Sequence, residues 1–334
     1  MTESNIQYRF PEGFWWGSSA SATQTEGAAD RDGKSQNIWD YWYEKEPSRF
    51  FNGVGPGDTS RFYDQYKEDI RLMKEIGHNS FRLSISWSRL IPDGTGEVNQ
   101  KAVAFYQDVI DEMLAHRIEP FVNLFHFDMP LALQRKGAGS AGTPLTRLNI
   151  TQTCFSLFGD KVKKWFTHNE PIVPIEGGYL YDFHYPNHVN FQEAVQAGFH
   201  TLLSNARAVK AYRELKQDGQ IGIILNLTPS YPRSSHPEDV KASRIADAFF
   251  NRSFLDPAVK GEFPEELVEI LKAEGFLPRY EKEDLRLIQE HTVDLLGVNY
   301  YQPRRVKAKE HVPNPHAPSC LSVSSIRMSC PAGK

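Results

Sequence analysis

Two rhythms of apolar and polar positions alternate along this chain. Short β-leaning runs at Phe14 to Ser18, Asn79 to Ile85, Pro120 to Phe125, Val162 to Phe166, Ile221 to Leu225 and Val293 to Asn299 read as strands. Between them the apolar positions recur at helical spacing. Over Thr59 to Ile76 the set is Phe62, Tyr66, Ile70 and Met73. Lys101 to His116, Phe191 to Gln217 and the region between Pro237 and Glu290 also read as helices. Strict β/α alternation implies a parallel sheet with right-handed crossovers, either open and doubly wound or closed into a barrel.

Composition narrows the picture. At 334 residues, with 40% apolar and 12% aromatic content, the chain can bury one sizeable core, and no linker or internal repeat interrupts it. A formal charge of −4 with dispersed basic residues makes no case for nucleic acid. The opening, Met1 to Phe10, is polar, and no apolar run approaches a membrane span. Three cysteines are an odd, sparse set that argues against a disulfide framework and fits a cytoplasmic setting.

Candidate chemistry concentrates at the end of the fourth strand, in Trp165-Phe166-Thr167-His168-Asn169-Glu170-Pro171. Pro171 fixes its own φ and biases Glu170 away from the helical region, which holds a carboxylate at a strand-to-loop exit. Taken alone, Glu170 serves equally as a cap for the next helix. His126 and Asp128 suggest a metal pair, yet no third or fourth ligand is spaced to complete a site. Neither a metal nor a cofactor is expected.

Thr167 to Pro171 (THNEP) resembles the acid/base motif of glycoside hydrolase family 1, the retaining β-glycosidases. Gly17 to Gly27 (GSSASATQTEG), Phe81 to Pro92 (FRLSISWSRLIP), Asn123 to Pro130 (NLFHFDMP) and Gly297 to Tyr301 (GVNYY) resemble the same family, in its order. With the polar residues clustered at strand exits, the resemblance implies a (β/α)₈ TIM barrel, incomplete, with about six of the eight βα units present. It further implies that Glu170 is the acid that protonates the leaving oxygen and then the base that activates water. Asn169 would bond the sugar 2-hydroxyl. Gln24 would grip two hydroxyls of the non-reducing sugar, as an amide can by donating and accepting at once. His126 would bind sugar, and Asn299 and Tyr301 would lie near the catalytic centre. Arg82 would keep a nucleophilic carboxylate ionised. HFDMP and His168 stand where plain β-glucosidases usually show HWDLP and Phe, and both resemble the bacterial branch acting on sugar 6-phosphates. The expected partner is a small β-glucoside or β-glucoside 6-phosphate. Trp15, Trp16, Trp39 and Trp42 are expected in the core rather than as a sugar platform.

Within residues 1–318, read as one barrel domain, Gly137 to Thr151 (GAGSAGTPLTRLNIT) lacks helical periodicity where the family has a GGW turn and a helix. The tail 319–334 has no aromatic residue and holds two of the cysteines. With codon degeneracy and one restored base, these stretches can be read as GGWERGNTVDAFEHY and FMPERFFDPYVMPGRK, both family-like. Frameshifts are the expectation, the last truncating the chain before the family's nucleophile. An uncovered sheet face behind the third and fourth strands is expected too.

Overall fold

The computed structural model describes residues 8–138, 144–309, 320–323 and 326–329; for 137–138, 144–149 and the last two segments it describes the backbone alone. Six strands form one parallel sheet in chain order: β1 (Gly17–Ser19), β2 (Ser80–Ser84), β3 (Glu119–Asn123), β4 (Lys164–Asn169), β5 (Gln220–Asn226) and β6 (Leu295–Asn299). Register runs straight from Phe81 beside Pro120 to Val122 beside Trp165. The helices between strands include α1 (Phe62–Glu75), α2 (Gln100–Ala115), α3 (Pro144–Phe158), α4 (Phe191–Glu214), α5 (Pro237–Asp247), α6 (Ser253–Lys260), α7 (Glu265–Ala273) and α8 (Lys282–Glu290). This curled parallel sheet with its helical layer is an incomplete (β/α)₈ barrel.

Two cores hold the layers together. Phe81, Leu83, Val122 and Trp165 of the strands pack against Ile70 of α1, Val109 and Met113 of α2 and Phe155 of α3. Ile223 and Leu225 of β5 pack against Phe199 and Leu202 of α4 and Phe254 of α6. Each such side chain, fully buried, contributes about 1.5–3 kcal/mol.

The stretch 137–151 departs from expectation, as a helix, α3, runs from Pro144 to Phe158. Ile150, Cys154, Phe155 and Phe158 recur at helical spacing and are all buried. Phe155 meets the rings of Trp165 and Tyr212 edge-on at 5.1 and 5.0 Å. The second half of the helix therefore supplies the apolar stripe that the preceding residues lack, and the sheet face behind β3 and β4 is covered.

The tryptophans divide. Trp42 is buried, whereas Trp15 and Trp16 are 47% and 48% exposed, contrary to a core placement. They precede β1, an edge strand whose three residues are all exposed, and Trp15 has only the edge-on ring of Phe121 on β3, at 5.6 Å, as an aromatic neighbour among the described residues. Trp16 packs instead on Phe10 and Phe14.

Candidate active site

The site forms where β2, β3, β4 and β6 end. Strand β4 is stitched to its neighbours up to its last residue, with the Asn169 N–H donating to the Phe125 carbonyl at 3.0 Å. Its register against β5 shifts between Phe166 and Asn169. The Glu170 N–H then donates to the Ile224 carbonyl at 2.8 Å, with Glu170 at φ +44°. A left-handed conformation in a residue with a Cβ costs on the order of 1 kcal/mol or more and persists only where surroundings impose it. Here the hydrogen bond to β5 holds it, against the extended backbone that Pro171 alone would favour. The consequence is that Asn169 and Glu170, consecutive in sequence, reach into one site.

Asn299, at the end of β6, ties the two together. Its Nδ2 donates to Glu170 Oε1 at 2.6 Å and to Asn169 Oδ1 at 3.0 Å. Arg82 Nη1 donates to Asn169 Oδ1 and to Asn299 Oδ1, both at 3.1 Å. The Asn169 Nδ2 group lies 3.2 Å from His126 Nε2. As the amide nitrogen is only a donor, His126 Nε2 accepts, and the ring proton sits on Nδ1. Burial, helped by the charge of Arg82, pulls the His126 pKa down to about 3, so the ring is neutral.

Electrostatically, Glu170 is the group set apart. Burial pushes its carboxyl above the ordinary carboxylate range, against the Asn299 hydrogen bond and the Arg82 charge, which pull it back. Burial also pulls the Arg82 guanidinium below its usual value, with Glu170 and Tyr301 opposing. Arg82 Nε is buried and has no hydrogen-bond partner.

Glu170, Asn169, His126, Asn299 and Arg82 are thus one hydrogen-bonded constellation. Tyr301 stands at its open side, 74% exposed. Gln24 lies apart from that network on a single helical turn, Ala22–Thr25, exposed, its Oε1 accepting from Ser21 Oγ at 2.7 Å. Asp128 has a different role from the metal pairing its spacing suggests. It is wholly buried and accepts the N–H groups of Trp87 at 3.1 Å and His126 at 3.3 Å. Burial raises it to about 6, against those hydrogen bonds. No cluster of three metal-ligating side chains occurs among the described residues.

Sequence reading missed His184. It is buried, its Nδ1 2.7 Å from its neighbour's carbonyl and its Nε2 without a partner, beside the rings of Trp39 and Phe127. Only its place in an aromatic loop, DFHYP, hinted at it.

A carboxyl and an amide thus stand at the mouth of a parallel barrel strand, with a neutral histidine and a guanidinium behind them. The profile of glycosyl hydrolase family 1 matches residues 6–324, and the chain belongs to that family. Over 313 residues it is 77% identical to 6-phospho-beta-glucosidase GmuD of Bacillus subtilis, covering 93% of this chain and 67% of that protein. It is 38% identical to beta-glucosidase A of Acetivibrio thermocellus, over 89% of this chain and 66% of that one. The family 1 β-glucosidase structure from Thermotoga maritima superposes with a TM-score of 0.85 at 38% identity, over 91% of this chain and 68% of that one. The chain therefore spans about two thirds of the length of these relatives. No helix among the described residues is long and apolar enough to cross a membrane.

Proposed function

We propose that this chain carries the acid/base half of a retaining β-glycoside hydrolase acting on β-glucoside 6-phosphates. The observation that carries the substrate is the 77% identity to the B. subtilis 6-phospho-beta-glucosidase across nearly the whole chain. HFDMP and His168 support the same branch.

In this reading Glu170 protonates the leaving oxygen. Its Oε1 already accepts from Asn299, so the acidic proton sits on Oε2, the oxygen left to deliver it. Once the leaving group has gone, the same carboxylate takes a proton from water. Asn169 is held by Arg82, Asn299 and His126, with its amide turned to the site for a sugar hydroxyl. Gln24 and His126 complete the sugar contacts, and Tyr301 with Arg82 flanks the place of a second carboxylate. Retaining hydrolysis requires that second carboxyl roughly 5–5.5 Å from the first. A cytoplasmic place of action belongs to the same proposal, supported by the sparse cysteines.

The test compares the 334-residue chain with one in which both frames, at 137–151 and from 319 onward, are restored. The restored enzyme is expected to hydrolyse aryl β-glucoside 6-phosphates in preference to the unphosphorylated glucosides, and the chain as written to stay at background. Equal or faster turnover of the plain glucoside would overturn the phosphate assignment.

A further inference from the structure

Away from this site lies an apolar cavity of about 250 Å³ between α4 and α7. Its lining contains only apolar and aromatic side chains apart from Ser253 and the ring hydroxyl of Tyr280. Ser253 spends its hydroxyl proton on the Phe249 carbonyl at 2.6 Å. The mouth is formed by Val268, Tyr280 and Leu285, which are 37%, 45% and 37% exposed.

The packing around it is divided to match. Phe199 and Leu202 of α4 belong to a core with Phe250 and Phe254, whereas Leu267 and Leu271 of α7 pack with Ala248 in a small separate cluster. Helix α7 is tied down at its edge through Glu266, which pairs with Arg244 at 2.9 Å and Arg252 at 3.1 Å. An ion-paired helix thus roofs a void that its own apolar face does not fill. Protein interiors keep few voids larger than a water molecule, and an apolar cavity of ~150 Å³ stays dry and takes up benzene. A larger one, with phenyl rings on its walls and no charge within, favours a larger ligand of the same character.

We propose that this chamber binds an uncharged aromatic molecule of one or two fused rings, entering between α7 and α8. The walls offer edge and face contacts to such rings, and no buried polar group remains to reward a charged or strongly polar ligand.

Naphthalene is the probe. It is expected to bind the protein saturably at one site, to raise its melting temperature, and to show intermolecular NOEs to the methyl groups of Leu202 and Leu271. Gly198→Leu and Val195→Trp should fill the chamber. At Gly198 a Cβ would already lie 3.6 Å from Phe254 Cζ, an ordinary contact. Both variants are expected to weaken naphthalene at least tenfold without loss of melting temperature. Absence of saturable binding to the parent chain would overturn the proposal. So would undiminished affinity in folded variants, or NOEs confined to residues elsewhere. If either variant fails to fold, the NOE pattern of the parent chain decides.

Discussion

At the scale of single residues, the site is a problem of where one proton resides. Burial raises Glu170, and Asn299 and Arg82 limit how far. The sign follows directly. A carboxyl raised in the folded state is protonated over a wider range, and its donor activity falls as pH rises through that raised value. Removing the Asn299 hydrogen bond, which favours the charged form, should therefore move the basic limb of the pH–rate profile upward; a downward shift in Asn299→Ala would contradict the assignment. In the restored enzyme, Glu170→Gln should cost about 10²–10⁴-fold on substrates with poor leaving groups. Activated aryl leaving groups need less protonation, so their glycosylation step should suffer much less. Single-turnover rates across a series of leaving groups measure this; equal losses would remove the acid role.

At the scale of elements, the loop carrying Gln24 depends on a buried ion pair. Glu26 follows the Ala22–Thr25 turn. Its carboxylate accepts from Arg89 Nε at 2.9 Å and from the Tyr106 hydroxyl at 2.7 Å, with Arg89 and Glu26 side chains 1% and 5% exposed. Arg89 also lies over the Tyr63 ring and donates to the Gly27 carbonyl. The first loop is thus pinned to α2 and to the turn after β2. Breaking one partner of such a pair strands a buried charge at a cost of about 3–5 kcal/mol. Glu26→Ala should lower stability by that amount in urea denaturation, while pairing Glu26→Leu with Arg89→Met should recover most of it. A single-mutant loss below about 1 kcal/mol would show that the pair is dispensable.

At the scale of the whole molecule, β1 and β6, the edges of the sheet among the described residues, set its behaviour. β2 to β5 are largely buried, whereas β1 is exposed throughout and β6 alternates, with Leu296 and Val298 at 38% and 49% exposure. Apolar strands with free N–H and C=O groups on an edge template association with other chains. The 334-residue chain is therefore expected to self-associate with rising concentration, and Leu296→Lys with Val298→Lys to restore monomer, as read by light scattering. A parent chain monomeric across the micromolar range would refute this. Much of the architecture was legible beforehand, because period and alternation are properties of neighbours in sequence. Five of the six expected strands share most of their residues with observed ones, and Glu170 stands at the exit of the fourth strand, as expected. The misplaced pieces depended on distant partners. Helix α3 forms through a stretch without helical pattern because Phe155 finds Trp165 and Tyr212. Trp15 and Trp16 stay exposed because nothing described packs beyond β1. In the site, sequence alone put Asn169 and Glu170 together at the exit of the fourth strand. Only the tertiary structure decided that Asn299, 130 positions beyond Asn169, binds both it and Glu170. Desolvation and hydrogen bonding, which set the proton's place, depend on what the fold packs around a carboxyl.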